Sequence, residues 1–463
     1  MKKSRSEERF DAYLDALCDV LGHADRGAGL RGYCSGLMMP LDRKSIEPLA
    51  AHLDPRHVRA RHQSLHHFVA KSEWSDVAVL ARVRDWVVAQ MDVRDGAYWI
   101  VDDTGFRKKG RHSVGVARQY CGEIGKQDNC QAAVSVTLAT AAGSIPIAWR
   151  LYLPQDWADD PGRRQAAGVP PEVEFSTKPQ ISLAQLQQAV ADGVMPGVVL
   201  ADAAYGTNSE WRAGVAALGL RYAVGVVSSV IVWPPGVEPQ PPAPWRGQGR
   251  PPVRHRRTAD CQPLSVEALA RSLPAEDWRT VQWREGSNTP LSSRFAALRV
   301  RPAQGDRLRD IEWLLIEWPQ GDAGPLRYFL SNLPADTPIQ SLVHTAKARW
   351  RIERDYLELK QEFGLDHYEG RGWRGFHHHA TLCIATYGFF VSERLRGGAH
   401  QKKPSERPQP AVPADYRPRG ASSPRPASCL PLHSDSALAI GSSDHDPLAT
   451  RPISAQNNRL VTQ

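Results

Sequence analysis

The chain has 463 residues, 41% of them hydrophobic and 23% charged. At about 100–200 residues per domain, that is an ordinary multidomain globular composition, which excludes a fibrous or wholly disordered protein. Lys plus Arg number 58 against 50 acids, a net charge of +8, and only 12 of the 58 are lysines. A guanidinium forks phosphate bidentately, so nucleic acid is a natural partner, although an arginine-rich proteome gives the same bias. The longest apolar run, Leu382 to Val391, is about half the roughly 18 residues a membrane span needs. No apolar segment follows the basic start, so no signal peptide is expected. Seven cysteines without a CxxC pair argue against a zinc ribbon or a disulfide framework and for reduced cytosolic thiols.

Residues 1–92 read as a helical, DNA-contacting domain. Phe10, Tyr13, Leu14, Leu17 and Leu21 recur at helical spacing, and 46–53 and 77–88 look alike. Arg43, Lys44, Arg56, Arg59 and Arg61 lie between these segments. From Ala97 the period changes. Strands are predicted at 98–104, 131–140 and 145–153, then a helix at 183–194, a short strand at 197–202, a helix at 209–218 and a strand at 221–226. Three strands, helix, strand, helix, strand is the order of a ribonuclease H-like mixed sheet, so the fold class is α/β, with 93–226 as the first part of that core. Residues 234–252 carry eight prolines, which no helix or strand interior tolerates. They open an inserted, mostly-β domain over 227–336. Thr337-Pro338 predicts the start of one helix running to Gly364, within a last part of the core over 337–398. The remaining 399–463, with ten prolines and the lone aromatic Tyr416 from Pro404 to Gln463, predicts a disordered tail.

Metal-dependent phosphoryl transfer needs carboxylates at strand ends and on a nearby helix, to hold a pair of hard divalent cations. The first strand ends in Asp102-Asp103, the fourth in Asp202, and the last helix carries Glu353. In the proposed sheet the first and fourth strands are neighbours. Adjacent strand residues face opposite ways, so Asp102 and Asp103 do not both enter one site, and periodicity does not choose between them. Arg349, Glu353 and Lys360, four and seven apart, share a helical stripe; an exposed ion-pair ladder has the same spacing. Leu342, Ile352, Tyr356, Leu359 and Phe363 predict the adjacent docking stripe.

The stretch RWRIE (349–353) followed by Lys360 resembles the YxxRxxxExxxxxxK signature of bacterial DDE transposases, with Ala346 in place of the tyrosine. VDDTGFRKKGRHSVGVARQY and VLADAAYG resemble the two aspartate regions. Together with 63–74 and 372–390, the chain is similar to the insertion sequence 701 family over roughly residues 10–395. In the wider group a Thr or Ser follows the first aspartate, which selects Asp103 over Asp102. The resemblance implies Asp103, Asp202 and Glu353 as a catalytic triad binding two Mg²⁺ or Mn²⁺ ions. It also implies double-stranded DNA as substrate, a homodimer in the DNA complex, no small-molecule cofactor and a cytoplasmic, nucleoid-associated protein. A nuclease without strand joining and a decayed DNA-binding remnant are the alternatives.

Arg349 and Lys360 are expected to hold a DNA phosphate, as are Arg107, Lys108 and Lys109 in the basic loop after Asp103. Arg254, Arg256 and Arg257, with Arg246 and Arg250, are expected to touch DNA from the proline-rich stretch. Trp278, Trp283, Trp313 and Trp318 are expected in the core of the insertion. Three consecutive helical histidines, His377 to His379, point about 100° apart and do not share one metal ion, so a structural or DNA-backbone role is expected. Cys121 and Cys130 are expected as reduced core thiols.

Overall fold

A computed structural model of the chain describes residues 3–92, 96–258, 261–284, 290–305 and 307–400. The expected disordered stretch after Pro404 lies outside them. The chain opens with helices α1 (Arg5–Cys18), α2 (Gly27–Met38), α3 (Ile46–Leu53), α4 (Val58–Ala70) and α5 (Asp76–Val88). Ser4 and Glu7 form a reciprocal capping box that starts α1. Strands β1 (Tyr98–Arg107), β2 (Ala117–Cys121), β3 (Lys126–Ala139) and β4 (Ser144–Leu151) follow. After the short α6 (Gln155–Ala158) and α7 (Pro161–Ala167) come α8 (Lys178–Ala191), β5 (Val198–Ala201), α9 (Ala203–Gly206), α10 (Ser209–Ala217) and β6 (Tyr222–Val226).

Leaving aside the short β2, these strands lie in the order β4–β3–β1–β5–β6. β1 is antiparallel to β3 and parallel to β5, and β5 is parallel to β6. This is the mixed, ribonuclease H-like α/β arrangement expected from the element order. Residues 130–139 of β3 are buried without a break, where alternation was expected. Helices cover both faces there, so Gln131, Ser135 and Thr137 are buried along with their apolar neighbours.

The segment after β6 supplies β7 (Ile231–Trp233), β8 (Leu264–Ser265), α11 (Val266–Ser272), β9 (Arg279–Arg284), β10 (Leu291–Pro302), β11 (Glu312–Trp318) and β12 (Arg327–Ser331). These strands extend the same sheet. β12 pairs antiparallel with β6, so the ladder continues β6–β12–β11–β10–β7–β8, twelve strands among the described residues. Trp278 and Trp318 pack edge to face, Trp283 does the same with Phe295, and the Trp313 Nε1–H donates to the Pro334 carbonyl. These four tryptophans are half-buried, at the edge of the insertion's core rather than inside it as expected, and Trp245 of the same segment is exposed.

One helix was expected over 338–364, and the structure has two: α12 (Ile339–Lys347) and α13 (Trp350–Gln361). Leu342, Val343 and Ala346 of α12 bury against the insertion strands, whereas Ile352, Tyr356, Leu359 and Phe363 join the main core. A single straight stripe does not serve both cores, and the axis turns at Ala348–Arg349. Thr337 does not cap; its hydroxyl donates to the Pro334 carbonyl. Gly364, with φ 66°, closes α13 as expected.

Finally α14 (Trp373–His400) packs on α2, α4, α5 and β4. Tyr13 donates to the Ala385 carbonyl, and Arg9 and Ser6 reach Glu393. The N-terminal helices, α14 and the β1–β6 sheet thus share one continuous core.

His377, His378 and His379 are all buried in α14, each bonded to backbone, in line with the structural role expected of them. Cys121 and Cys130 are buried free thiols.

Candidate active site

The parallel register of β1 and β5 pairs Ile100 with Leu200. The ladder stops there, and Asp202 follows β5 as the N-cap of α9. Its charge acts on Asp102 and on Arg349 at the start of α13, which puts the two carboxylates on the same side of the sheet. Which side is fixed by β3. Asp102 pairs with Ser135 across the β1–β3 ladder, and the Ser135 hydroxyl meets Tyr356 OH of α13 at 2.7 Å. The Asp102 face is therefore the face that α13 covers, and α13 carries Glu353.

Arg349 joins the pieces. Its Nη1 donates to Asp102 Oδ2 at 2.7 Å and its Nη2 to Glu353 Oε1 at 2.8 Å. Burial pushes Asp102 up to about 7; Arg349 opposes the shift, and the charges of Asp202 and Asp103 add to it. Burial disfavours the Arg349 charge, yet Asp102, Glu353 and Asp202 outweigh it and raise its pKa. Asp202 caps α9 by accepting from the Ala204 N–H at 2.9 Å. Glu353 is the exposed member, at 61% of its side chain.

Asp103 points to the other face. Its Oδ2 accepts from Lys178 Nζ at 2.6 Å and its Oδ1 from Tyr205 OH at 3.1 Å. The structure thus brings Asp102, Asp202, Arg349 and Glu353 to one side of the sheet, while Asp103 is bonded to Lys178 and Tyr205 on the other. Lys178, Tyr205 and Ser135 had not been singled out in the sequence, and Tyr356 had been read only as part of the docking stripe. Tyr205 had one available signal: it sits three residues after Asp202, one helical turn on.

Lys360 shares the helix but not the cluster. Its Nζ donates to the Gly105 carbonyl at 2.8 Å and faces Glu123 Oε2 at 3.2 Å, further along β1. Of the basic loop, Lys109 is exposed and Arg107 is exposed beside Asp128. Lys108 is spent internally, donating to the Tyr368 carbonyl at 2.7 Å; burial lowers its pKa. Arg254, Arg256 and Arg257 are exposed, with Arg256 bonded to the Pro241 carbonyl at 3.0 Å.

The donor set is all carboxylate oxygen, which suits a hard divalent cation. Asp102 and Asp202 are half-buried carboxylates, and the charge of Asp202 raises Asp102 even with Arg349 bonded to it; a divalent cation relieves that repulsion. Among the described residues no three His, Cys, Asp or Glu side chains converge on one point; Glu353 reaches Asp102 through the Arg349 guanidinium.

A family model described as DDE superfamily endonuclease matches residues 16–290 of the chain. That stretch contains Asp102, Asp103 and Asp202 and stops before Glu353. Over 168 residues the chain is 32% identical to a protein of Microchaete diplosiphon named as a probable transposase for insertion sequence element IS701. The matched part is 36% of this chain, and it spans only 41% of that relative's length.

Proposed function

The chain belongs to the DDE superfamily endonucleases, and from that premise we propose that it is an insertion-sequence transposase. It binds the inverted repeats at the ends of its element, cuts the DNA there with water and joins the freed 3′ hydroxyls to target DNA. The observation that carries the proposal is the proximity of Asp202 to Asp102, with Arg349 linking Asp102 to Glu353 of α13. We assign the metal-binding carboxylates to Asp102, Asp202 and Glu353, with Asp102 in place of Asp103. A pair of Mg²⁺ or Mn²⁺ ions held there would activate the attacking oxygen and stabilise the departing one.

The protein groups supply position and charge. Arg349 offsets the burial and repulsion that favour the protonated form of Asp102. In-line displacement at phosphorus places extra negative charge on the phosphate oxygens, and Arg349, bonded to both Asp102 and Glu353, is the cation at the cluster that offsets it. Lys360 exchanges Glu123 for a phosphate oxygen. Lys109, Arg254 and Arg257, exposed and without a carboxylate partner among the described contacts, take DNA backbone. Arg107 and Arg256 join them by leaving Asp128 and Pro241, whereas Lys108 stays on Tyr368. Joining two ends calls for two copies of the chain, one site from each.

The test uses labelled element ends in Mg²⁺. Asp102→Asn, Asp202→Asn and Glu353→Gln should each bind the ends within a few-fold of wild type and lose cleavage by about a thousandfold or more. Normal cleavage by Asp102→Asn overturns the assignment. Cleavage without strand transfer by the wild type makes the protein a nuclease instead.

A further inference from the structure

Asp103 is adjacent in sequence to a proposed metal ligand, and its two carboxylate oxygens are taken by two other elements. Oδ2 holds Lys178, the first residue of α8. Oδ1 holds the hydroxyl of Tyr205, whose ring is 1% exposed. Tyr205 belongs to α9, the four-residue helix whose N-cap is Asp202. A helix this short has little cohesion of its own, so its position is set by what it touches. On one side a Cβ at Gly206 would run into the Gly225 carbonyl oxygen of β6, so α9 lies directly on that strand. On the other side its link to β1 is the Tyr205–Asp103 hydrogen bond.

We infer that Asp103 is a positioning residue, the anchor of a clamp with Tyr205 and Lys178 that fixes Asp202 relative to Asp102 from the opposite face of the sheet. The inference rests on the proposed assignment of Asp102 and Asp202 as metal ligands. It accounts for the tandem Asp102-Asp103: alternation sends one carboxylate to the site and the other to the support beneath it. Lys178 neutralises Asp103, so the second carboxylate does not add a full uncompensated charge behind the first. The capping box of Thr177 and Gln180 in turn fixes the helix end that carries Lys178.

The experiment measures Mn²⁺ binding to the full-length protein by calorimetry, beside cleavage of labelled ends as a function of Mg²⁺ concentration. Tyr205→Phe keeps the buried ring and removes only the hydroxyl. It should weaken Mn²⁺ binding about tenfold and raise the Mg²⁺ concentration for half-maximal cleavage by a similar factor, while the rate at saturating metal recovers to within a few-fold. Lys178→Met should behave alike, and serves if Tyr205→Phe lowers the melting temperature by more than a few degrees. Asp103→Asn retains an acceptor for Tyr205 and should keep measurable Mn²⁺ binding and cleavage, whereas Asp102→Asn loses both. If Asp103→Asn abolishes Mn²⁺ binding as completely as Asp102→Asn, Asp103 is a ligand and the clamp is wrong. Unchanged metal affinity in both Tyr205→Phe and Lys178→Met overturns it as well. Normal metal binding and cleavage in Asp102→Asn would instead remove the site assignment on which the clamp depends.

Discussion

His379 gives the sharpest stability prediction. It is buried in α14, its Nδ1 2.8 Å from Tyr33 OH and its Nε2 2.9 Å from the Gly364 carbonyl. A neutral ring protonated at Nε2 satisfies both partners: Tyr33 donates to Nδ1, and Nε2–H donates to Gly364. A second proton places a full charge on a ring that is 1% exposed, with no carboxylate bonded to it among the described contacts. Burial accordingly pulls the ring down to about 4. The unfolded chain, with its ordinary value near 6.5, therefore binds more protons than the folded one between about pH 4 and pH 6.5. Stability from this group is full above the unfolded value and falls as acid is added. Integrating from pH 7 to pH 5 gives a loss of about 2 kcal/mol, out of a limit of roughly 3.4 kcal/mol for the whole shift. Asp355 runs the other way. Burial pushes it up to about 6, so protonation favours the fold and offsets about 1 kcal/mol over the same interval. The wild-type pH response is thus a sum, and the single-group quantity is a difference. Urea unfolding followed by tryptophan fluorescence at pH 7 and pH 5 should show that His379→Gln, which keeps a donor for Gly364, shrinks the acid-induced loss by about 2 kcal/mol. An identical pH response in wild type and His379→Gln would refute the reasoning.

Two further outcomes test the site. Lys360→Ala should slow cleavage about 10- to 100-fold at saturating DNA and lower the salt slope of binding by about one unit; no change in either, with the fold intact, makes Lys360 a structural tie between α13, Gly105 and Glu123. Gly206→Ala forces α9 away from the Gly225 carbonyl and displaces Asp202 with it, so cleavage should fall while unfolding in urea shifts by about 1–3 kcal/mol; unimpaired cleavage would mean that α9 tolerates movement.

What the sequence reveals about this site follows from how local each decision is. The main strands and helices over 98–226 are legible from run length and the change of period, whereas the short β2, α6, α7 and α9 are not, and β3 buries without alternation because both its faces are covered. The group Asp102, Asp103, Asp202 and Glu353 is legible for the same reason. The choice between Asp102 and Asp103 is not. Alternation says only that the two differ in face; which face holds the site depends on where α13 lands, about 250 residues later, and on the Ser135–Tyr356 contact that marks it. The break between α12 and α13 is equally non-local. An uninterrupted helical pattern runs through Ala348, and the turn there exists because the insertion strands form a second core for Leu342 and Val343 that is not collinear with the first. Lys108 reads as a free cation in a basic run until its ammonium is found on the Tyr368 carbonyl. In each case residue type and spacing specify a chemical capacity, and a partner distant in sequence decides whether that capacity is turned toward the substrate or toward the fold. Asp102 and Asp103 divide along that line: the same carboxylate, one residue apart, is held by Arg349 of the candidate site in one case and by Lys178 and Tyr205 of the support in the other.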